Sequence, residues 1–168
     1  MDILISCQNK TLRCGDFIVP VRIGKAGFAD SAQAKEGDAK TPLGAYNLRF
    51  GFYRADRLPP PQSPMVFRAL RPDDGWCDAP DDPAYNRFIK TPYAASHESL
   101  WRDDGAYDII LVMSHNDSPP VSGKGSAVFF HVSQIDDRQT LGCVALSPDA
   151  MARLLPRIYN GQRVIIEA

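Results

Sequence analysis

The residues of this chain best able to do covalent chemistry lie near its C-terminal end. An apolar run, Val128-Phe129-Phe130, leads into His131, and Cys143 follows twelve positions later, directly after Gly142. A free thiol is only a few per cent ionised at neutral pH, so a cysteine nucleophile needs a base beside it, and imidazole is the usual one. A single cysteine with a histidine elsewhere in the chain is the pattern such a pair leaves in sequence. The alternative is that Cys143 is a small core residue, since cysteine is among the most buried types. Spacing alone leaves both readings open.

The neighbourhood favours chemistry. Gly142 has no side chain, so a substrate or an amide can approach the thiol closely. Ser147-Pro148-Asp149 combines an N-cap serine, a proline at the first helical position and an acid in the first turn. Met151, Leu154, Leu155 and Ile158 recur at helical spacing, which predicts a helix from about Ser147 to Asn160, and Gly161 ends it. Arg163 to Glu167 reads as a last strand. Cys143 is thus expected beside a helix N-terminus, whose amides would steady a thiolate or an oxyanion. Asp136 and Asp137 follow His131 closely but read as loop carboxylates, because a backbone carbonyl can orient an imidazole as well as they can.

A second polar cluster, Ser114-His115-Asn116-Asp117, ends the apolar strand Asp108 to Met113. His115 and Asn116 are candidate substrate contacts in the same cleft; the alternative for His115 is a cap on its own strand. A rival reading gathers His115, His131 and Cys143 or Asp117 around zinc, in a metal-dependent peptidase or amidase. No standard short ligand spacing supports it. If the two strands form a hairpin, His131 would lie five residues from the loop end near His115, or ~16 Å, too far to share a metal.

The elements that must position these groups read as mainly β. Asp2 to Cys7, Thr11 to Arg13, Asp16 to Ile23 and Leu43 to Phe52 are apolar or alternating strands separated by turn residues, and Ala26 to Lys40 reads as a surface loop. Alternating short strands and dense turns favour this class over a parallel α/β sheet. From Arg54 to Gly105 the prolines at 59–61, 64, 72, 80, 83 and 92 exclude long regular elements. A stretch this long without periodicity suggests function. It is expected to be a lid or wall over the thiol, packed down by Trp76, Tyr85, Tyr93 and Trp101, or else an insertion merely anchored by them.

At 168 residues the chain suits one domain, residues 1–168. A net charge of −1 with scattered Lys and Arg gives no basic stripe for nucleic acid. There is no apolar run long enough for a membrane span. The start, Met1-Asp2-Ile3-Leu4-Ile5-Ser6-Cys7, lacks a basic n-region and a long apolar core, so it reads as a strand and not a signal peptide. A complete chain would then stay in the cytoplasm; one that has lost an export signal would be periplasmic. Cys7, Cys14, Cys77 and Cys143 match neither a redox pair nor a zinc ribbon, and free thiols are expected.

His131, Thr140, Gly142, Cys143 and Val144 resemble the signature of the L,D-transpeptidase (YkuD-like) catalytic domain family, a strand histidine followed by Ser/Thr-x-Gly-Cys-Ile/Val. Upstream, Gly24-Lys25 and then Lys40-Thr41-Pro42-Leu43-Gly44-Ala45-Tyr46 are similar to the family's Thr-Pro-x-Gly-x-Phe/Tyr strand entry. Three positions depart from the family: Val132 stands for a glycine, Leu141 for a second histidine and Ala145 for an arginine. The resemblance implies a β-sandwich or barrel of mixed strands with a C-terminal helix and a long irregular insertion at 54–105. It implies no cofactor, and acyl transfer on peptidoglycan stem peptides or soluble muropeptides through a thioester on Cys143, with His131 as base. An amine acceptor would make the chain a transpeptidase; water would make it an L,D-carboxypeptidase. Gly142 and Thr140 fall at the oxyanion and substrate positions. With Leu141 and Ala145 in place, an inactive wall-binding module is the non-enzymatic alternative.

Overall fold

A computed structural model of the chain describes residues 1–133 and 138–168. The first strands form by simple alternation: β1 (Ile3–Ser6), β2 (Thr11–Cys14) and β3 (Phe17–Pro20) turn Ile3, Ile5, Leu12, Cys14, Phe17 and Val19 inward. After the short β4 (Phe28–Asp30), the thirteen-residue β5 (Thr41–Tyr53) forms the spine. Next come β6 (Phe67–Ala69), β7 (Asp74–Cys77), β8 (Phe88–Lys90), β9 (His97–Ser99), β10 (Ile109–Met113), β11 (Phe129–Val132) and β12 (Val144–Leu146). One helix, α1 (Pro148–Leu154), precedes β13 (Arg163–Glu167).

The main sheet runs β12-β11-β10-β5-β13-β1-β2-β3, with β4 and β6 added along β5. It is mixed: β11/β12, β1/β13, β4/β5 and β5/β6 are parallel, the remaining pairs antiparallel. Just beyond β3, Arg22 bridges to Ala145 and Gly24 to Thr140, so the two ends of the sheet meet and it nearly closes. The main core fills the inside. Strand β10 is buried at all five positions because it has two dry faces: Ile109, Leu111 and Met113 face that core, Ile110 and Val112 a second one.

The second core belongs to the proline-rich stretch, which is less irregular than its composition predicts. It holds β6 and a separate antiparallel sheet in the order β8-β7-β9. Strands of three or four residues fit between the prolines and are too short to show a period. Trp76, Leu100 and Tyr107 pack from this side against Phe129 and Ile110 of the main sheet. Trp76 and Tyr85 are buried, and Arg54 stacks 3.6 Å above the Trp101 ring.

The C-terminal helix starts as its sequence demands, with Ser147 Oγ accepting from Ala150 N at 3.2 Å and Pro148 in the first turn. It stops earlier than periodicity predicts. Pro156 has no N–H and crowds the preceding turn, so Leu155–Arg157 tighten into a 3-10 turn. Ala26 to Lys40, read as a loop, also contains β4 and a 3-10 turn at Ser31–Gln33 capped by Asp30. Among the described residues no helix is long and apolar enough to cross a membrane.

Candidate active site

Strand register brings the histidine and the cysteine together. In the antiparallel pair β10/β11, Ile110 faces His131; in the parallel pair β11/β12, Phe130 faces Val144 and His131 faces Ala145. Cys143, one residue before β12, therefore falls beside Phe129, on the sheet face that also carries His131. Diagonal neighbours on one face lie about 7 Å apart, within reach of long side chains. Phe129 N donates to Cys143 Sγ at 3.4 Å, and the thiol donates to Ala127 O at 3.1 Å. Ala127 N in turn donates to Asn86 Oδ1 at 3.0 Å, so a residue of the proline-rich stretch sets the carbonyl that receives the thiol proton.

His131 has a defined tautomer. Its Nδ1 lies 2.9 Å from Val132 O. A carbonyl only accepts, so the proton sits on Nδ1 and Nε2 keeps its lone pair. The orienting partner is the backbone; Asp136 and Asp137 lie outside the described residues. The other side of the ring meets Tyr107, edge to face, with centroids 5.4 Å apart.

Both groups line a cleft of about 380 Å³. Glu36, Asp78, Glu98 and Arg102 form its polar walls, and Leu141 stands at its rim, 70 % exposed. Asp78, Glu98 and Arg102 come from the proline-rich stretch, which thus supplies a wall of the cleft. Burial holds His131 below the ordinary imidazole pKa. Burial, reinforced by the Glu98 charge, pushes the Cys143 thiol up to about 12, against smaller opposing effects of the Phe129 N–H and Arg102. Burial thus favours the neutral thiol and the neutral imidazole.

The loop before Cys143 is braced by two threonines. Thr140 Oγ1 donates to Cys143 O at 2.6 Å and accepts from Gly142 N at 3.2 Å. Thr41 Oγ1 donates to Gly142 O at 3.0 Å and accepts from Gly24 N at 2.8 Å. The two motifs that lie a hundred residues apart in sequence are thus one structure, with Thr41 as the pin. Gly142 adopts φ +133°, and a Cβ there would stand 2.9 Å from Lys40 O. Only glycine fits between that carbonyl and the thiol. Thr140 acts here as a loop brace, and the Gly142 amide is already engaged by it.

Three expectations need correction. The helix N-terminus is not at the thiol: β12 intervenes and the N-cap of α1, Ser147, stands at its far end, four residues or ~13 Å along an extended chain. His115 does not line the Cys143 cleft. Its Nε2 donates to Lys124 O at 3.1 Å, its ring packs on Tyr46, and it borders a crevice of about 40 Å³ beside Gly142 and a cavity of about 540 Å³ shared with Arg49, Trp76 and Asp117, neither of which reaches Cys143. Asn116 spends its amide on Val121 and Gly125, folding its own loop. The zinc reading loses its ligands by the same geometry: Ile110 pairs with His131, which puts His115 five residues further along the chain and past the end of β10, and Asp117 is held by Arg49 at 2.7 Å.

Tyr107, Glu98 and Arg102 were not anticipated. Glu98 reaches the cleft through the pairing of β9 with β7, and Arg102 and Tyr107 from the connection between β9 and β10; no spacing signals either. Thr41 stood in a visible motif, but a Thr-Pro-x-Gly turn alone does not reveal what its hydroxyl holds. Of the three departures from the family pattern, Val132 is buried, and Ala145 is buried with its backbone paired to Arg22.

The family model for the L,D-transpeptidase catalytic domain, YkuD, matches residues 7–166. A search of curated proteins finds no match. Solved structures similar to the chain include Bd1075 of Bdellovibrio bacteriovorus, 16% identical with a TM-score of 0.46, covering 98% of this chain and 46% of that one. L,D-transpeptidase 1 of Mycobacterium tuberculosis is 12% identical with a TM-score of 0.45, covering 99% and 61%. An L,D-transpeptidase of Mycobacterium smegmatis is 14% identical with a TM-score of 0.46, covering 99% and 58%. The chain spans about half the length of these solved chains.

Proposed function

The chain belongs to the L,D-transpeptidase catalytic domain family, and on that premise we propose that it transfers acyl groups of peptidoglycan stem peptides through a thioester on Cys143. One observation carries the reading: His131, whose Nδ1 is fixed on Val132 O so that Nε2 is the basic nitrogen, lines the same cleft as the thiol. In the proposed reaction Nε2 takes the Cys143 proton as Sγ bonds to the carbonyl carbon of the donor amide. The tetrahedral oxyanion is held by backbone N–H groups, with the Cys143 amide as first candidate because the Gly142 amide is occupied. His131 then returns the proton to the departing amine as the C–N bond breaks, leaving the thioester. An incoming amine or water gives its proton to His131, forms the new bond and releases the thiol.

By family the donor is a stem tetrapeptide, attacked at the L-centre of its diamino acid with release of terminal D-alanine. An amine acceptor yields a cross-link, water a trimmed tripeptide. Mass spectrometry of a defined tetrapeptide muropeptide incubated with wild type and Cys143→Ala tests this. Wild type alone should lose D-alanine, with or without a joined product, and should show a covalent adduct on the peptide containing Cys143. Equal turnover by Cys143→Ala, or no adduct on that peptide, would sink it.

A further inference from the structure

The backbone fixes one edge of the His131 ring; a side chain fixes its face. We propose that Tyr107 is a positioning residue for His131 and that Glu98, on β9 of the small sheet, anchors it, so that residues 54–105 serve as a buttress for the catalytic base. The inference rests on the cysteine–histidine reading above and deepens it. Tyr107 is only 5 % exposed. Its ring meets His131 at 5.4 Å and 74°, and Phe129 at 6.2 Å and 76°, both in edge-to-face contact. Its hydroxyl donates to Glu98 Oε2 at 2.8 Å, and the Arg102 guanidinium lies 5.0 Å over the ring.

That set of contacts leaves the ring no freedom to slide. Glu98 is fixed in turn by strand pairing, opposite Trp76 of β7, and Trp76 is wedged edge-on against Phe129 at 5.0 Å. The Tyr107 hydroxyl is not a proton donor for the reaction. It is spent on Glu98, and burial holds the phenol un-ionised. Its function is therefore geometric: to keep Nε2 aimed into the cleft, where a misplacement of about 1 Å can cost as much as a hundredfold in rate. The charged groups acting on His131 are Arg102 and Asp104, and Glu98 and Cys143 share its cleft.

The test uses Tyr107→Phe, Glu98→Gln and Glu98→Ala in the full chain, with two readouts. In turnover of the tetrapeptide muropeptide, Tyr107→Phe and Glu98→Ala should each lower kcat by roughly tenfold with KM within about twofold, as expected for a misaimed base. Glu98→Gln keeps an acceptor for the hydroxyl and should recover most of kcat. In an NMR titration of the imidazole, the His131 midpoint should move up towards the ordinary value in Tyr107→Phe and stay near wild type in Glu98→Gln. An unmoved midpoint with unchanged kcat, a change in KM alone, or Glu98→Gln as impaired as Glu98→Ala would each overturn the proposal. The titration needs no substrate. A muropeptide that no variant turns over, with the midpoints shifted as stated, would count against the stem-peptide reading and support the buttress.

Discussion

His131 lies on β11 and His115 two residues past the end of its antiparallel neighbour β10, and in isolation they look alike. Each is largely buried and each donates one ring N–H to a main-chain carbonyl, Val132 O for His131 and Lys124 O for His115. Burial holds both below the ordinary imidazole pKa. The difference lies in what surrounds the ring. His131 shares about 380 Å³ of cleft with a thiol, whereas the two cavities that His115 borders, of about 40 and 540 Å³, are lined by no cysteine. A Cβ on Gly125 would come within 2.9 Å of His115 Nε2, a measure of how tightly that loop closes on the ring. A neutral histidine with a fixed tautomer is a base only where a transferable proton and room for a substrate meet it.

The sharpest way to break this comparison is to remove each imidazole in turn. His131→Ala should lower single-turnover thioester formation by about 10²–10⁴, the usual range for a lost general base. The same assay on His115→Gln should give a rate within about twofold of wild type. Comparable losses in both would show that the two rings do not differ in the way their surroundings suggest.

A smaller effect is expected at the pin between the two motifs. Thr41→Val keeps the shape of the side chain but strips Gly24 N and Gly142 O of a buried partner. Each orphaned group costs about 1–3 kcal/mol, so chemical denaturation should show a loss of roughly 2 kcal/mol or more. Turnover should fall with it, since Gly142 leads directly into the nucleophile. A Thr41→Val protein of wild-type stability would mean that the loop is held elsewhere.

The smallest effect concerns pH. A histidine whose pKa is depressed by folding takes up protons more readily when unfolded. Stability is therefore complete above about pH 6.5 and is lost as pH falls through the folded-state value. Gln can still donate to Lys124 O, so His115→Gln should change stability at pH 7 by less than about 1 kcal/mol. It should also reduce the loss between pH 7 and pH 5. Parallel denaturation curves at the two pH values measure this, and an acid-side loss as large as in wild type would rule His115 out as its source.

Several elements of the fold were readable because they follow local rules. The alternation of β1 to β3, the unbroken apolar run of β10 and the Ser147-Pro148 helix start all appear where patterning puts them. Pro156 shows how one overlooked residue misplaces a helix end by a turn. The proposed cysteine–histidine pair stood out because its residue types are uncommon together at that spacing, and the structure places both in one cleft. Its surroundings were not legible: Glu98 and Asn86 come from a stretch where strands of three or four residues, broken by prolines, carry no period to read, and Tyr107 from the turn just after it. His115 and Asn116 were misassigned because a polar cluster at a strand end looks the same whether it faces a cleft or folds its own loop.

By itself the sequence determined which groups are present and which segments are strands: one thiol after a glycine, one histidine on an apolar strand, and a β framework to carry them. Tertiary structure alone decided which histidine meets the thiol, since that depends on register between β10, β11 and β12. It also decided that Thr41 locks Gly142 and that the proline-rich stretch supplies a wall of the cleft holding His131. The physical reason is range. Propensity and periodicity act over a few neighbouring residues, whereas a register, a cleft and a hydrogen bond across a hundred residues exist only once distant surfaces have packed.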